Sequence, residues 1–153
     1  MTLPPTADDG SFTISRGLLC AYEATDYLVE THRGIVTLRV GKELDLEASL
    51  IAFINCFAVI TAFNPFSRAV AEDENQQRQI ALAKAVEVAG RSWLPAQGVD
   101  PLGRWPAEPS LAVLDPTDHE LDYWMELFGQ NAVVVAAKGF TTSLRLHPRS
   151  ITS

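Results

Sequence analysis

Glu108 stands in the run Trp105-Pro106-Ala107-Glu108-Pro109-Ser110, where two prolines narrow the backbone and can hold one carboxylate in place. A fixed, partly desolvated carboxylate has its pKa drawn toward neutrality, which is what general acid or base chemistry needs. The same carboxylate can instead close a salt bridge with Arg78 or Arg104, a purely structural use. Arg78 offers the complementary chemistry. Its guanidinium can grip a phosphate or carboxylate through two parallel hydrogen bonds, or brace the fold by pairing with Glu108 or Glu74. Asn64 and Ser67 are either hydrogen-bonding groups for a ligand or parts of a plain turn in which Pro65 drives Asn64 extended. Asn75, like Arg78, either meets a ligand or satisfies neighbouring loop carbonyls. The candidate catalytic residue is thus Glu108, and the candidate ligand-binding set is Thr25, Tyr27, Asn64, Ser67, Asn75, Arg78, Ser110, Gln130 and Asn131. Gln130 and Asn131 also read as a simple helix-to-strand turn, and Trp105 as packing rather than a stacking platform.

The elements that must position these residues follow from periodicity and punctuation. Residues 27–30 and 35–40 are rich in β-formers and read as a hairpin. Residues 46–55 have helical spacing behind Asp45 as N-cap, and 57–62 form a continuous apolar run, the mark of a strand covered on both faces. A long helix is expected over about 71–89, closed by Gly90, with Glu72, Asp73 and Glu74 at its positive end. Its apolar stripe of Leu82, Ala85, Val86 and Ala89 continues through Arg78 and Asn75, so two polar residues extend the buried face. Residues 92–97 read as a short strand. Residues 98–109, with Gly98, Pro101, Gly103, Pro106 and Pro109, read as neither helix nor central strand. A strand at 111–114 precedes a helix that Thr117 and Glu120 open as a capping box and Gly129 stops after Phe128. Strands at 132–137 and 142–146 complete the series, with Trp124 and Leu127 placed either in the core or in a dimer contact.

Connection lengths give strand directions. A hairpin reverses the chain, whereas a helical crossover returns it to the same direction. The hairpin strand 35–40 is then parallel to 57–62 and to 92–97, while the strand at 111–114 returns and 132–137 follows it. On that reckoning Thr25, Tyr27, the 64–67 loop, the first turns of the long helix, 108–110 and 130–131 all arrive at one sheet edge. Ligands of α/β sheets favour such an edge.

The 153 residues are 47% hydrophobic, with 12 Lys+Arg against 19 Asp+Glu and a net charge of −7. That balance disfavours nucleic acid and anionic membranes as partners. The densest apolar run, 50–63, is broken by Asn55 and Thr61 and falls short of the ~20 residues of a membrane span. The start of the chain, with Pro4, Pro5, Asp8 and Asp9, does not read as a secretory signal. Cys20 and Cys56 fit a reduced cytoplasmic protein with buried thiols. His32, His119 and His147 have no metal-ligand spacing with one another or with the cysteines, so no metal site is expected. There is no phosphate loop, dinucleotide fingerprint or nucleophile elbow, and nothing names a cofactor. A triad built on Ser67 or Ser110 would have to borrow His147.

Five segments carry a resemblance. They are Tyr22-Glu23-Ala24-Thr25-Asp26-Tyr27, Ile60-Thr61-Ala62-Phe63-Asn64-Pro65-Phe66-Ser67, Glu74-Asn75-Gln76-Gln77-Arg78, Trp105-Pro106-Ala107-Glu108-Pro109-Ser110-Leu111 and Phe128-Gly129-Gln130-Asn131-Ala132. In this order they resemble a bacterial family known only as domain of unknown function 3293, over about residues 20–146. Phe63 stands where many members are expected to carry Trp. The resemblance implies no established activity.

The reading is of a single α/β domain with a mixed β-sheet of about six or seven strands and packing helices, over residues 16–147. Residues 1–15 form a loose lead-in and 148–153 a tail. Three functions compete: a pocket for a nucleotide-like or other anionic small metabolite, a hydrolase or transferase using Glu108, and an interaction module whose polar residues are structural.

Overall fold

The computed structural model describes residues 10–32, 34–44 and 55–152. The helix expected at 46–55 falls almost wholly outside these residues. The chain forms, in order, β1 (Phe12–Ile14), α1 (Arg16–Glu23), β2 (Asp26–Thr31), β3 (Gly34–Leu38), β4 (Cys56–Ile60), α2 (Glu72–Val88), β5 (Trp93–Val99), β6 (Glu108–Leu114), α3 (Asp118–Phe128), β7 (Ala132–Ala137), β8 (Ser143–Leu146) and β9 (Ser150–Thr152). A single 3-10 turn, Pro65–Ser67, interrupts the loop after β4. Seven strands make one sheet in the order β3-β2-β5-β6-β4-β7-β8, the α/β architecture expected from the sequence.

Every neighbouring pair in this sheet is antiparallel. Strand directions are nonetheless those deduced from the connections, with β3, β4 and β5 running one way and β2, β6 and β7 the other. Parallel neighbours were implied by the expected mixed sheet. They are avoided because strands of opposite direction interleave: β6 lies between β5 and β4, and β2 between β3 and β5. The one parallel pair, β1 with β9, stands apart as a two-stranded ribbon. It joins segments read as a lead-in and a tail. Three residues on each side give too little alternation to recognise, and contacts of Phe12 and Arg149 hold the ribbon in place.

Local chemistry explains the helices. Thr117 and Glu120 form the expected capping box, with Glu120 N donating to the threonine hydroxyl (3.1 Å) and Thr117 N to the glutamate carboxylate (2.9 Å). Gly129 ends α3 in the left-handed region at φ 64°. A Cβ there would meet Pro65 Cβ at 3.0 Å and Phe66 Cε2 at 3.1 Å, so both conformation and space demand glycine. The helix α1 was not anticipated. It is eight residues long with no buried residue, and its one clear marker is Ser15, whose hydroxyl accepts from Leu18 N (3.1 Å).

Alternation along the strands gives the sheet two faces. Ala58, Ile60, Leu111, Val113 and Val133 face α2 and α3 and meet Leu82, Val86, Trp124 and Met125 in one core. Trp124 is therefore a core residue, whereas Leu127 is exposed. The opposite face carries Tyr27, Val29, Phe57, Val59, Ala112 and Val134, against which Tyr22 of α1 packs.

Two expectations fail here. Residues 98–109 are not wholly irregular, because β5 runs on through Gly98 and Val99 and β6 begins at Glu108. Pro109 is tolerated inside β6, where its carbonyl accepts a hydrogen bond from the Thr61 hydroxyl (2.7 Å). Nor are both thiols buried: Cys20 is exposed on α1, Cys56 is half-buried, and both are free. None of the described helices is long and apolar enough to cross a membrane.

Candidate functional site

On the face away from α2 and α3, the edge reached by the starts of β2, β6 and β7 is hollow. One cross-strand row explains why. Tyr27 of β2 lies opposite Gly98 of β5, and Gly98 lies opposite Glu108 of β6. Paired residues point to the same face, so Tyr27 and Glu108 flank a position without a side chain. A Cβ on Gly98 would sit 3.5 Å from both Thr25 and Tyr27, in ordinary contact, so the glycine is there for the space above it and not for steric need. Over the row lies a cleft of about 660 Å³, roofed by Leu18, Ala21 and Tyr22 of α1 and walled by the 63–72 and 105–107 loops. Such a volume is within the usual range for small-molecule sites.

The 64–67 loop enters this space in a strained conformation. Asn64, Phe66 and Ser67 have φ of 47°, 52° and 61°, a region that costs a side-chain-bearing residue roughly 1–2 kcal/mol each. Asn64 is left-handed, not extended as Pro65 led one to expect, because tertiary bonds override the local bias. Asn64 N donates to Asn75 Oδ1 (2.8 Å), while Asn64 Oδ1 accepts from Asn75 Nδ2 (2.9 Å) and Val70 N (3.3 Å). Farther on, Phe66 N donates to the Gly129 carbonyl, and the Ser67 hydroxyl accepts from Asn131 Nδ2 (3.0 Å). Gln130 Nε2 closes the clamp on the carbonyls of Phe63 (3.1 Å) and Phe128 (3.2 Å).

The fixed orientation of Asn64 has a chemical consequence. With its oxygen committed to Asn75 and Val70, its amide nitrogen is free to donate to Glu108. Burial pushes the Glu108 carboxyl up to about 7, against that hydrogen bond, which pulls the other way. Glu108 has no ion pair with any described residue. The bridges imagined to Arg78 or Arg104 do not form. Arg78 donates instead to the carbonyls of Ala62 (3.0 Å) and Phe128, and Arg104 is held on buried Asp100 at 2.9 Å. The phenols of Tyr22 and Tyr27 are raised as well, first by burial. Glu108 adds to the rise in both, and Tyr22 adds to it in Tyr27.

Eight of the ten residues singled out in the sequence line the cleft: Thr25, Tyr27, Asn64, Ser67, Asn75, Glu108, Ser110 and Gln130. Arg78 and Asn131 do not. Arg78 ties β4's exit to the end of α3, and the Asn131 side chain donates to Ser67. Thr25, Asn75, Ser110, Gln130 and Asn131 are all buried. Tyr22 and Gly98 were missed. An isolated glycine between strand-like residues was the available sign for Gly98, since such glycines mark room for something else. Asp100 was missed as well. It organises the proline- and glycine-rich loop before Glu108 by accepting from Leu102 N (3.1 Å) and Arg104 N (2.8 Å). His147 is buried against Phe12 and Phe66 and does not line the cleft. Among the described residues no group of His, Cys, Asp and Glu has the geometry to hold a metal ion.

The fold and cleft define an α/β protein with α2 and α3 on one sheet face and, on the other, a second core that opens into a cleft carrying several polar groups. Residues 60–133 match the model of a family described as "Protein of unknown function (DUF3293)", which bears out the family resemblance read in the sequence. The match includes Asn64, Ser67, Asn75, Gly98, Glu108 and Gln130, whereas Tyr22, Thr25 and Tyr27 precede it. No curated protein and no solved structure matches the chain.

Proposed function

We propose that the cleft takes a small molecule and that Glu108 is the side chain that exchanges a proton with it. The observation that carries this reading is the Tyr27–Gly98–Glu108 row, in which a missing side chain leaves a near-neutral carboxyl facing an open volume. A carboxyl poised near pH 7 can act as acid or base, which makes hydrolytic or transfer chemistry on the bound molecule the natural extension. Thr25, Tyr27, Asn64 and Ser110 are the polar groups that would orient it. Asn75, Arg78, Gln130 and Asn131 serve instead as the scaffold that holds the strained loop, which is the interaction-module reading confined to those four residues.

The test is thermal unfolding against a panel of amines, amides, sugars, nucleotides and organic acids, beside Gly98→Leu, which fills the hollow. One class should raise the midpoint by several degrees in the wild type and leave Gly98→Leu unmoved, as expected for a ligand well above its Kd. Calorimetry near neutral pH in buffers of different ionisation enthalpy should then show proton exchange that Glu108→Gln abolishes. A shift that survives Gly98→Leu would place the binding elsewhere. No shift with any class would remove the reading.

A further inference from the structure

The charged groups of the cleft have one sign. Its charged lining residues are Glu72 and Glu108, and no described Lys or Arg lines it. The nearby cations are spent elsewhere. Arg78 is bound to two backbone carbonyls, Arg104 lies over the Trp105 ring (4.9 Å) while paired with Asp100, and Arg68 is exposed on the loop outside the lining. The first turn of α2, with Glu72, Asp73 and Glu74, cancels the attraction its N-terminus would otherwise have for an anion. Tyr22 and Tyr27 add aromatic walls, and aromatic rings attract positive charge, as the Trp105 ring already does with Arg104.

We infer, resting on the reading that the cleft binds a small molecule, that its ligand is an organic cation, an amine or guanidinium compound, held by the Glu108 carboxylate beside the Tyr22 and Tyr27 rings. This reverses the anionic class expected from the sequence, which depended on Arg78 reaching the site. Asn64 supplies one donor to Glu108, and the carboxylate's remaining lone pairs are what an N–H of the ligand would meet. A buried carboxylate without a counter-ion is costly, and an arriving ammonium removes that cost, whereas an anion would compound it. Cation binding is therefore coupled to loss of the Glu108 proton and strengthens as pH rises through neutrality.

A matched trio of probes decides the matter: benzylamine, benzyl alcohol and benzoate share one ring and differ in charge. Affinities are measured by ligand-observed NMR or thermal shift on the wild type, Glu108→Gln and Gly98→Leu. Benzylamine should bind on the order of tenfold more tightly than the alcohol, with benzoate weakest, as for a charge-assisted over a neutral hydrogen bond. Its advantage should grow from about pH 6 to about pH 8 and vanish in Glu108→Gln. The pH dependence in the wild type gives the same answer should the variant fold poorly. Alcohol binding as tightly as amine, or benzoate tightest, with all binding lost in Gly98→Leu, overturns the cation and leaves the cleft. Binding of no probe, or binding indifferent to Gly98→Leu, overturns both.

Discussion

The two faces of the seven-stranded sheet are built from alternate residues of the same strands and both bury a core, yet the face opposite α2 and α3 also opens into a cleft at its Tyr27–Glu108 end. On the helix-covered face α2 and α3 seat Leu82, Val86, Trp124 and Met125 on Ile60, Leu111 and Val113, all nearly or fully buried. On the opposite face Val29, Phe57, Ala112 and Ala136 are just as buried, but at the edge beneath α1 polar residues occupy positions that the strand pattern reserves for a core: Thr61, Ser110, Glu108. At this end of the sheet, packing and cleft are divided by parity. Odd positions of β6, Leu111 and Val113, pack under the helices; of the even ones, Glu108 and Ser110 face the cleft and Ala112 is buried in the second core. A one-residue slip of β6 would exchange the two roles, which is why the Thr61 bond to the Pro109 carbonyl matters.

The contrast can be broken most forcefully at Trp124. Trp124→Ala should cost about 3–5 kcal/mol in urea unfolding, whereas Trp105→Ala on the cleft rim should cost less than about 1 kcal/mol. Equal losses would mean that the cleft rim is as much a core as the helix-covered face. Next comes Arg78, the tie between the exit of β4 and the end of α3. Arg78→Ala leaves the Ala62 carbonyl without its donor and the Phe128 carbonyl with Gln130 alone, and should cost roughly 2–3 kcal/mol, also read by urea unfolding. A loss near zero would return Arg78 to the list of ligand groups.

The smallest effect, and the sharpest, is at Glu108. Its carboxyl is raised from the ordinary 4.5 to about 7, so the folded state binds the proton more tightly than the unfolded chain does. The stability this contributes is complete below 4.5 and is lost as pH climbs to about 7. Glu108→Gln has no such loss. Compared with the wild type, it should gain on the order of 2 kcal/mol between acid and slightly alkaline pH, in paired denaturant titrations. Parallel curves would mean that Glu108 is solvated, and with that the proposed proton exchange would fall.

Much of this arrangement was legible in the sequence, for identifiable reasons. Strand directions follow from whether a connection is a hairpin or a helix, so the convergence of Asn64, Glu108 and Gln130 on one edge was derivable. Asn75 announced itself as a polar residue on an apolar stripe, and it is buried. Which strands become neighbours was not derivable, because direction does not fix adjacency. Hence the antiparallel interleaving, and with it the Tyr27–Gly98–Glu108 row, had to be seen. Arg78 was placed on the correct face of α2, but nothing in its spacing says whether a guanidinium will meet a ligand or the backbone carbonyls at the ends of β4 and α3. The sign of the site's charge turned on that one side chain.

The interleaving also has a kinetic side. Within the large sheet, β2 with β3, β5 with β6 and β7 with β8 are neighbours in sequence and can zip locally, since short loops close at little entropic cost. The strand β4 has no such partner: it pairs with β6 and β7, with Phe57 facing Leu114 and Ala136. Contacts that span so much chain are slow to form. The strand that leads into Asn64 is thus a keystone, dropped between preassembled hairpins, and until it arrives the walls of the cleft belong to separate pieces.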